Sequence, residues 1–306
     1  MSHLYHGLKT HRLTNGILFL DALLEAGPRI VRMGFEEDRR NLLAETPDLS
    51  WDTPHGRYHL RGGHRLWHAP EAIDRTHIPD DSPPSIHVDG FNMDLTAPVE
   101  PPTGIQKAMH IQLIPEEAVV HIEHALTNHG AEPAELAVWP ITQLPLGGTI
   151  ILPMATHPID EHGKLPNRNL LLWPYSRIHD PRIHMEDDVL LLEALDIPES
   201  NKIGYMNRNG WIAYIKDSAL LVKSFTPSPL EKHVDMGCNV EAYLSGMFVE
   251  LETLSPWRTF SPGETITHTE TWHLYRIEDS PASVNELLTA LRDGTLPISL
   301  KEQPAP

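Results

Sequence analysis

Apolar runs of four to eight residues recur along most of the chain, separated by Pro, Gly, Asn and Asp. This spacing predicts strands rather than helices. The runs are Ile17 to Leu24, Ile30 to Phe35, Met109 to Leu113, Val119 to Leu126, Leu136 to Ile141, Ile150 to Met154, Leu170 to Trp173, Val189 to Leu192, Trp211 to Ile215, Ala219 to Phe225, Tyr243 to Leu254 and Thr265 to Tyr275. Several alternate with period two, as in Val120-His121-Ile122-Glu123-His124, which predicts one packed and one wet face. Asn209-Gly210 reads as a hairpin turn. One helix is predicted at about 281–292, from the Ser280-Pro281 start, the stripe Leu287, Leu288 and Leu291, and the Asp293-Gly294 stop.

Twenty-eight prolines reinforce this pattern, because an interior Pro removes a helical hydrogen bond and clashes with the preceding turn. Residues 72–85, rich in Asp and Pro, and 94–104, rich in Pro, read as surface connections. No fixed-period repeat or composition shift divides the 306 residues, so one all-β domain is expected, with its core at about 13–276.

The 42 acidic residues outnumber the 24 basic ones, giving a formal charge of -18 that repels phosphate backbones and anionic lipid headgroups. The expected partner is a small molecule, with neither nucleic acid nor membrane involved. No basic-then-apolar leader opens the chain and no apolar run reaches membrane-spanning length, so a cytoplasmic location is expected by default. Cys238, the single cysteine, precludes an internal disulfide and reads as a small core residue.

Candidate chemistry concentrates in three places. Glu250 and Glu252, two apart on a predicted strand, emerge on one face with backbone positions ~6.5 to 7 Å apart, while Val249 and Leu251 face the other way. Paired carboxylates need solvent, a cation or a ligand. The segment Gly62-Gly63-His64-Arg65-Leu66-Trp67-His68 is the densest collection of functional side chains. Its glycines permit close backbone approach or positive φ, and Arg65 has the fork that grips a carboxylate or phosphate. Arg65 could equally pair with a protein acid such as Glu71. A third group, Lys202, Tyr205, Asn207, Arg208, Asn209 and Trp211, reads either as a pocket rim or as an ordinary turn. The 20 histidines match no HExxH or paired CxxC spacing, so neither a metal nor another cofactor is expected. His268 and Glu270 would approach the Glu pair if the last strand paired with theirs as a hairpin.

The order of several short motifs resembles the galactose mutarotase-like superfamily and its aldose 1-epimerases. These are Leu13-Thr14-Asn15-Gly16, Gly27 to Val31, Asn41-Leu42-Leu43, Gly62 to Glu71, Leu126-Thr127-Asn128, Pro133 to Leu144, Phe248 to Pro256 and Ser261 to Thr265. The resemblance implies a β-supersandwich of mostly antiparallel strands with a short C-terminal helix, holding a carbohydrate on a concave sheet face. It also implies mutarotation, in which a Glu takes the anomeric proton and a His protonates the ring oxygen, the two then exchanging roles.

Glu252, followed by Ser255-Pro256, best matches the family's base, with Glu250 beside it. The chain departs from the pattern at the acid: aligning Pro133 to Leu144 puts Trp139 where the family has His and Gln143 at the next Asn. Because an indole is no proton donor of useful pKa, the acid must be another residue, with His64, His68 and His124 as candidates. Arg65, Trp67, His68, Glu71, His124, Trp139 and Gln143 are then expected to bind substrate, Trp139 as an aromatic platform or else as core filling. Three functions follow: an isomerase acting on a sugar or uronic acid derivative, a sugar-binding protein without turnover, or a hydrolase or lyase using both Glu residues.

Overall fold

The computed structural model describes residues 3–277 and Thr289; the helix expected at 281–292 lies outside the described residues, Thr289 apart. Alternation and turn punctuation produce 23 strands. The first nine are β1 (His3–Tyr5), β2 (Leu8–Thr14), β3 (Leu18–Leu23), β4 (Arg29–Phe35), β5 (Glu45–Thr53), β6 (Gly56–Gly62), β7 (His64–Ala69), β8 (Ser85–Asp89) and β9 (Asn92–Thr96). The middle of the chain supplies β10 (Ile105–Leu113), β11 (Val119–Asn128), β12 (Ala134–Leu144), β13 (Thr149–Pro153), β14 (Leu171–Leu172), β15 (Ile183–Met185) and β16 (Val189–Glu193). Then follow β17 (Asn201–Tyr205), β18 (Trp211–Lys216), β19 (Ala219–Phe225), β20 (Val240–Leu244), β21 (Val249–Thr253), β22 (Arg258–Phe260) and β23 (Thr265–Arg276).

These strands form two large sheets and the separate β5–β6 hairpin, with every pairing antiparallel. Sheet I has the order β1-β2-β3-β4-β7-β12-β21-β20-β17-β14, with β22 also on β12; sheet II has the order β15-β16-β13-β18-β19-β23-β11-β10-β9-β8. A shared apolar core joins them, with Leu66, Val138, Val249, Leu251 and Ala242 from sheet I meeting Met109, Ile122, Leu221 and Leu274 from sheet II. The architecture is an all-β sandwich.

The opposite, outer face of sheet I carries a second buried cluster that includes Trp67, Trp139, Ile141 and Phe248. The β5–β6 hairpin contributes Tyr58 and Leu60 to that cluster and so overlies this face. Positive φ at Gly62 (84°) and Gly63 (72°) turns β6 into β7. A Cβ at Gly62 would meet Ala44 O at 2.2 Å, and one at Gly63 would meet Ile30 O at 2.1 Å. The paired glycines therefore answer to backbone crowding within the fold.

Three expectations are revised. The run Tyr243 to Leu254 is two strands, β20 and β21, because Ser245 takes backbone N–H bonds from Met247 and Phe248 and closes a turn between them. Asn209-Gly210 joins β17 in sheet I to β18 in sheet II, so it makes a crossover instead of a hairpin. The stretches 72–85 and 94–104 are largely irregular, yet β8, the edge strand of sheet II, begins at Ser85, and its neighbour β9 runs to Thr96.

Candidate functional site

Antiparallel partners share a sheet face, so strand register assembles the site. One row across the outer face of sheet I runs Gln143, Glu250, Tyr243, Lys202. The next runs Arg29, Arg65, Ile141, Glu252, Glu241, Gly204. The third pairs Trp67 with Trp139. Val249 and Leu251 enter the inter-sheet core, so Glu250 and Glu252 share the outer face as the alternation predicts.

Charges on this face are paired at close range. Arg65 Nη2 donates to Glu250 Oε1 at 2.8 Å, and its guanidinium lies 4.2 Å from the centre of the Trp67 ring. Lys202 Nζ lies 2.6 Å from Glu241 Oε2 and 3.1 Å from Glu252 Oε2. The same Nζ stands 4.8 Å from the ring centres of both Trp139 and Trp173. Trp139 Nε1 donates to Glu252 Oε2 at 2.8 Å, and Trp139 meets Trp67 edge to face at 5.5 Å. Gly204 makes room for the covering segment, since a Cβ there would meet Cys238 Sγ at 2.4 Å and Trp173 at 3.0 Å.

Burial acts strongly here. Glu252 and Glu241 are fully covered, and Glu250 keeps 8 % of its surface. Burial pushes Glu250 upward against the pull of Arg65, with Glu252 adding to the rise. Glu241 is driven well above the ordinary carboxyl range by burial, against Lys202, with help from Glu252 and Asp235. Burial would lower Lys202, but Glu241, Glu252 and Glu250 together hold it well above an ordinary lysine. Around the rim, Tyr175 is 47 % exposed and Tyr243 half-buried, its hydroxyl 2.6 Å from Ser200. Several buried polar atoms have no protein partner: Arg65 Nε and Nη1, Gln143 Nε2 and Oε1, and Glu252 Oε1.

Other expected site residues lie elsewhere. His64, His68 and His124 do not reach the Glu pair. On β7, His64 and His68 have the parity of Leu66, a core residue, opposite to Arg65 and Trp67. His64 Nε2 and His124 Nε2 share a hydrogen bond of 2.7 Å, and His64 Nδ1 pairs with Thr142. Lys223 bridges Thr142 and Glu270, while Thr253 and Trp272 also donate to Glu270. His268 pairs with Thr253 in the same layer; β21 and β23 belong to different sheets, so His268 and Glu270 meet the Glu strand from the core side.

The ligand-capable atoms of His64, His124 and Glu270 lie within 4.8 Å of one another. Glu270 is already engaged by Lys223, Thr253 and Trp272, so this group works as a satisfied core network. His68 sits 3.4 Å from Glu100, which also holds Lys107.

Glu71 pairs with His77 at 2.8 Å, not with Arg65, and His77 stacks on Trp67 at 4.8 Å. Lys202 belongs to the site, whereas Tyr205 points into the core and Asn207 bridges Tyr205 and the Trp211 carbonyl. Residues that sequence reasoning missed are Glu241, Tyr243, Trp173, Tyr175, Asp235 and His77. Alternation around Val240, Ala242 and Leu244 could have found Glu241 and Tyr243; no local signal marks the others. Cys238 is buried, and burial pushes its thiol upward.

No helix among the described residues is long and apolar enough to cross a membrane. No family model and no curated protein matches the chain. Solved structures do. A galactose mutarotase-like protein from Lactobacillus casei aligns with TM-score 0.58 at 11% identity over 87% of this chain and 100% of its own. A galactose mutarotase related enzyme from Lactobacillus acidophilus aligns with TM-score 0.51 at 8% identity, over 89% of this chain and 99% of its own. A TPR-domain containing protein from Parabacteroides distasonis gives TM-score 0.62 at 14% identity over 90% of this chain, which spans about half (49%) of that longer protein. The two Lactobacillus alignments, nearly end to end, show that this chain shares its all-β fold with galactose mutarotase-like proteins.

Proposed function

We propose that the outer face of sheet I binds a carbohydrate and interconverts its anomers. One observation carries the reading: Arg65, Gln143 and Glu252 offer unpartnered buried donors and acceptors beside the indoles of Trp67 and Trp139. Sugars present hydroxyls that both donate and accept, together with an apolar ring face that suits an indole. The fold shared with galactose mutarotase-like proteins supports the same reading.

Mutarotation requires a base at the anomeric hydroxyl and an acid at the ring oxygen. Glu252, holding Lys202 and Trp139 through Oε2, suits the base through its other oxygen. Glu250, raised by burial and like charge, suits the acid in place of the inward-facing His64, His68 and His124. As Glu252 takes the hydroxyl proton, the bond from anomeric carbon to ring oxygen breaks and Glu250 protonates that oxygen, leaving an open-chain aldehyde. Rotation and the reverse transfers close the other anomer.

A second reading is binding without turnover, favoured by the complete burial of Glu252 against Lys202 and Trp139. NMR anomer exchange on a panel of free sugars separates the two, with Glu252→Gln as control. Exchange that the variant abolishes supports the isomerase. Thermal stabilisation by a sugar without exchange supports binding alone. Neither effect from any sugar overturns both.

A further inference from the structure

The charges on this face are unequal. Five carboxyl groups, Glu71, Asp235, Glu241, Glu250 and Glu252, act on one another or on the two cations Arg65 and Lys202. Arg65 is committed to Glu250, and Lys202 to Glu241 and Glu252. Glu71 is exposed and held by His77, so the other four acids, if all ionised, set four negative charges against two positive ones and leave an excess of two. Lys202 engages one oxygen of each partner; Oε1 of Glu252 is buried and unpartnered, and Glu241 meets the carboxyl of Asp235 within hydrogen-bonding reach, a contact that needs a proton or a cation between them. Glu241 and Glu252 are directly paired across β20 and β21, and Asp235 adds a third carboxyl next to Glu241.

Buried carboxylates in this arrangement must either carry protons or receive a cation. We infer that the face selects a hydroxylated ligand bearing an ammonium group, an amino sugar, over neutral sugars, and disfavours uronic acids and sugar phosphates. An ammonium brings three donors and one positive charge to the carboxyl oxygens of Glu241 and Glu252. A phosphate or carboxylate would find both cations already engaged and an excess of acids nearby. The inference rests on the carbohydrate reading and narrows it.

The test compares ligands that differ in a single group: glucose, glucosamine, glucuronic acid and glucose 6-phosphate, with ethanolamine as an amine that is no sugar. Binding to the full chain is measured by calorimetry and thermal shift at pH 7. The expected order is glucosamine first by about tenfold or more, then glucose, with both acids weakest. In Asp235→Asn, a half-buried loop position chosen to keep the fold, the preference for glucosamine over glucose should shrink. Glu241→Gln should shrink it further, with folding checked by circular dichroism.

Equal binding of glucose and glucosamine, or tighter binding of either acid, overturns the inference while the carbohydrate reading stands. Ethanolamine binding with no sugar bound overturns the carbohydrate reading and keeps the cation preference. No binding by any of the five overturns both.

Discussion

The Trp139 indole donates to Glu252 Oε2 at 2.8 Å from a position two residues before Ile141, the residue paired with Glu252 across β12 and β21. The aromatic side chain and the carboxylate are thus one unit. Trp139→Phe keeps an aromatic ring and removes the donor from a buried charge. Stability should fall by ~1.5 to 3 kcal/mol in urea unfolding, with sugar-induced stabilisation retained. Trp139→Ala should lose both. If Trp139→Phe abolishes the sugar response, the ring's platform role is wrong.

Lys202 is the only cation within ion-pair distance of Glu241 and Glu252 among the described residues. Lys202→Met should cost ~3 to 5 kcal/mol, since it leaves two buried acids uncompensated. Adding Glu241→Gln should recover part of the loss, a coupling that a double-mutant cycle reads directly. Strictly additive effects would show that the pair is not coupled.

Acid should act on the inter-sheet layer through its histidines. Burial holds His124 down to about 4, His268 to about 3 and His64 well below an ordinary histidine. A depressed folded value gives stability that is complete above the unfolded pKa near 6.5 and lost as pH falls through that value towards 4 or 3. The raised Glu241, Glu250 and Asp235 act oppositely, losing stability as pH rises. The histidine share is isolated with His124→Gln: the wild type should lose its advantage over the variant between pH 7 and 5, by on the order of 1 to 2 kcal/mol. NMR should find the His124 and His268 rings neutral at pH 5, and His64 titrating below an ordinary histidine. Protonation of any of them near pH 6.5 would contradict the buried network.

Gly63→Ala should destabilise by more than about 2 kcal/mol, because φ is 72° and the new Cβ would meet Ile30 O at 2.1 Å. Gly16→Ala, at φ 85° with open space around the Cβ, should cost less. Thermal unfolding of the two variants orders them, and a reversed order would contradict the crowding at β6 and β7.

Much of the fold was legible because turn residues and alternation are local properties. Asn15-Gly16 links β2 to β3, and ten of the twelve predicted apolar runs fall on single strands of more than two residues, apart from Leu170 to Trp173, which keeps a two-residue strand, and Tyr243 to Leu254, which splits. The split was hidden because the turn at Ser245 is made by a side-chain hydroxyl within an apolar stretch. Arg65, Trp67, Trp139, Gln143, Glu250 and Glu252 stood out in the chain as candidates, and register brings them to one face. Lys202 was noticed, but its partner Glu241 was not, because their meeting depends on the pairing of β17 with β20.

By itself the sequence determined parity: Glu250 with Glu252 against Val249 with Leu251, and Arg65 with Trp67 against His64 with His68. A period of two residues is built into every strand and needs no partner. Only the tertiary structure decided which parity meets the second sheet, sending the histidines inward to Glu270 and Lys223 and the Arg, Trp and Glu side chains outward to Lys202. That choice is made by strands distant along the chain, since a face becomes core only when another sheet is laid against it.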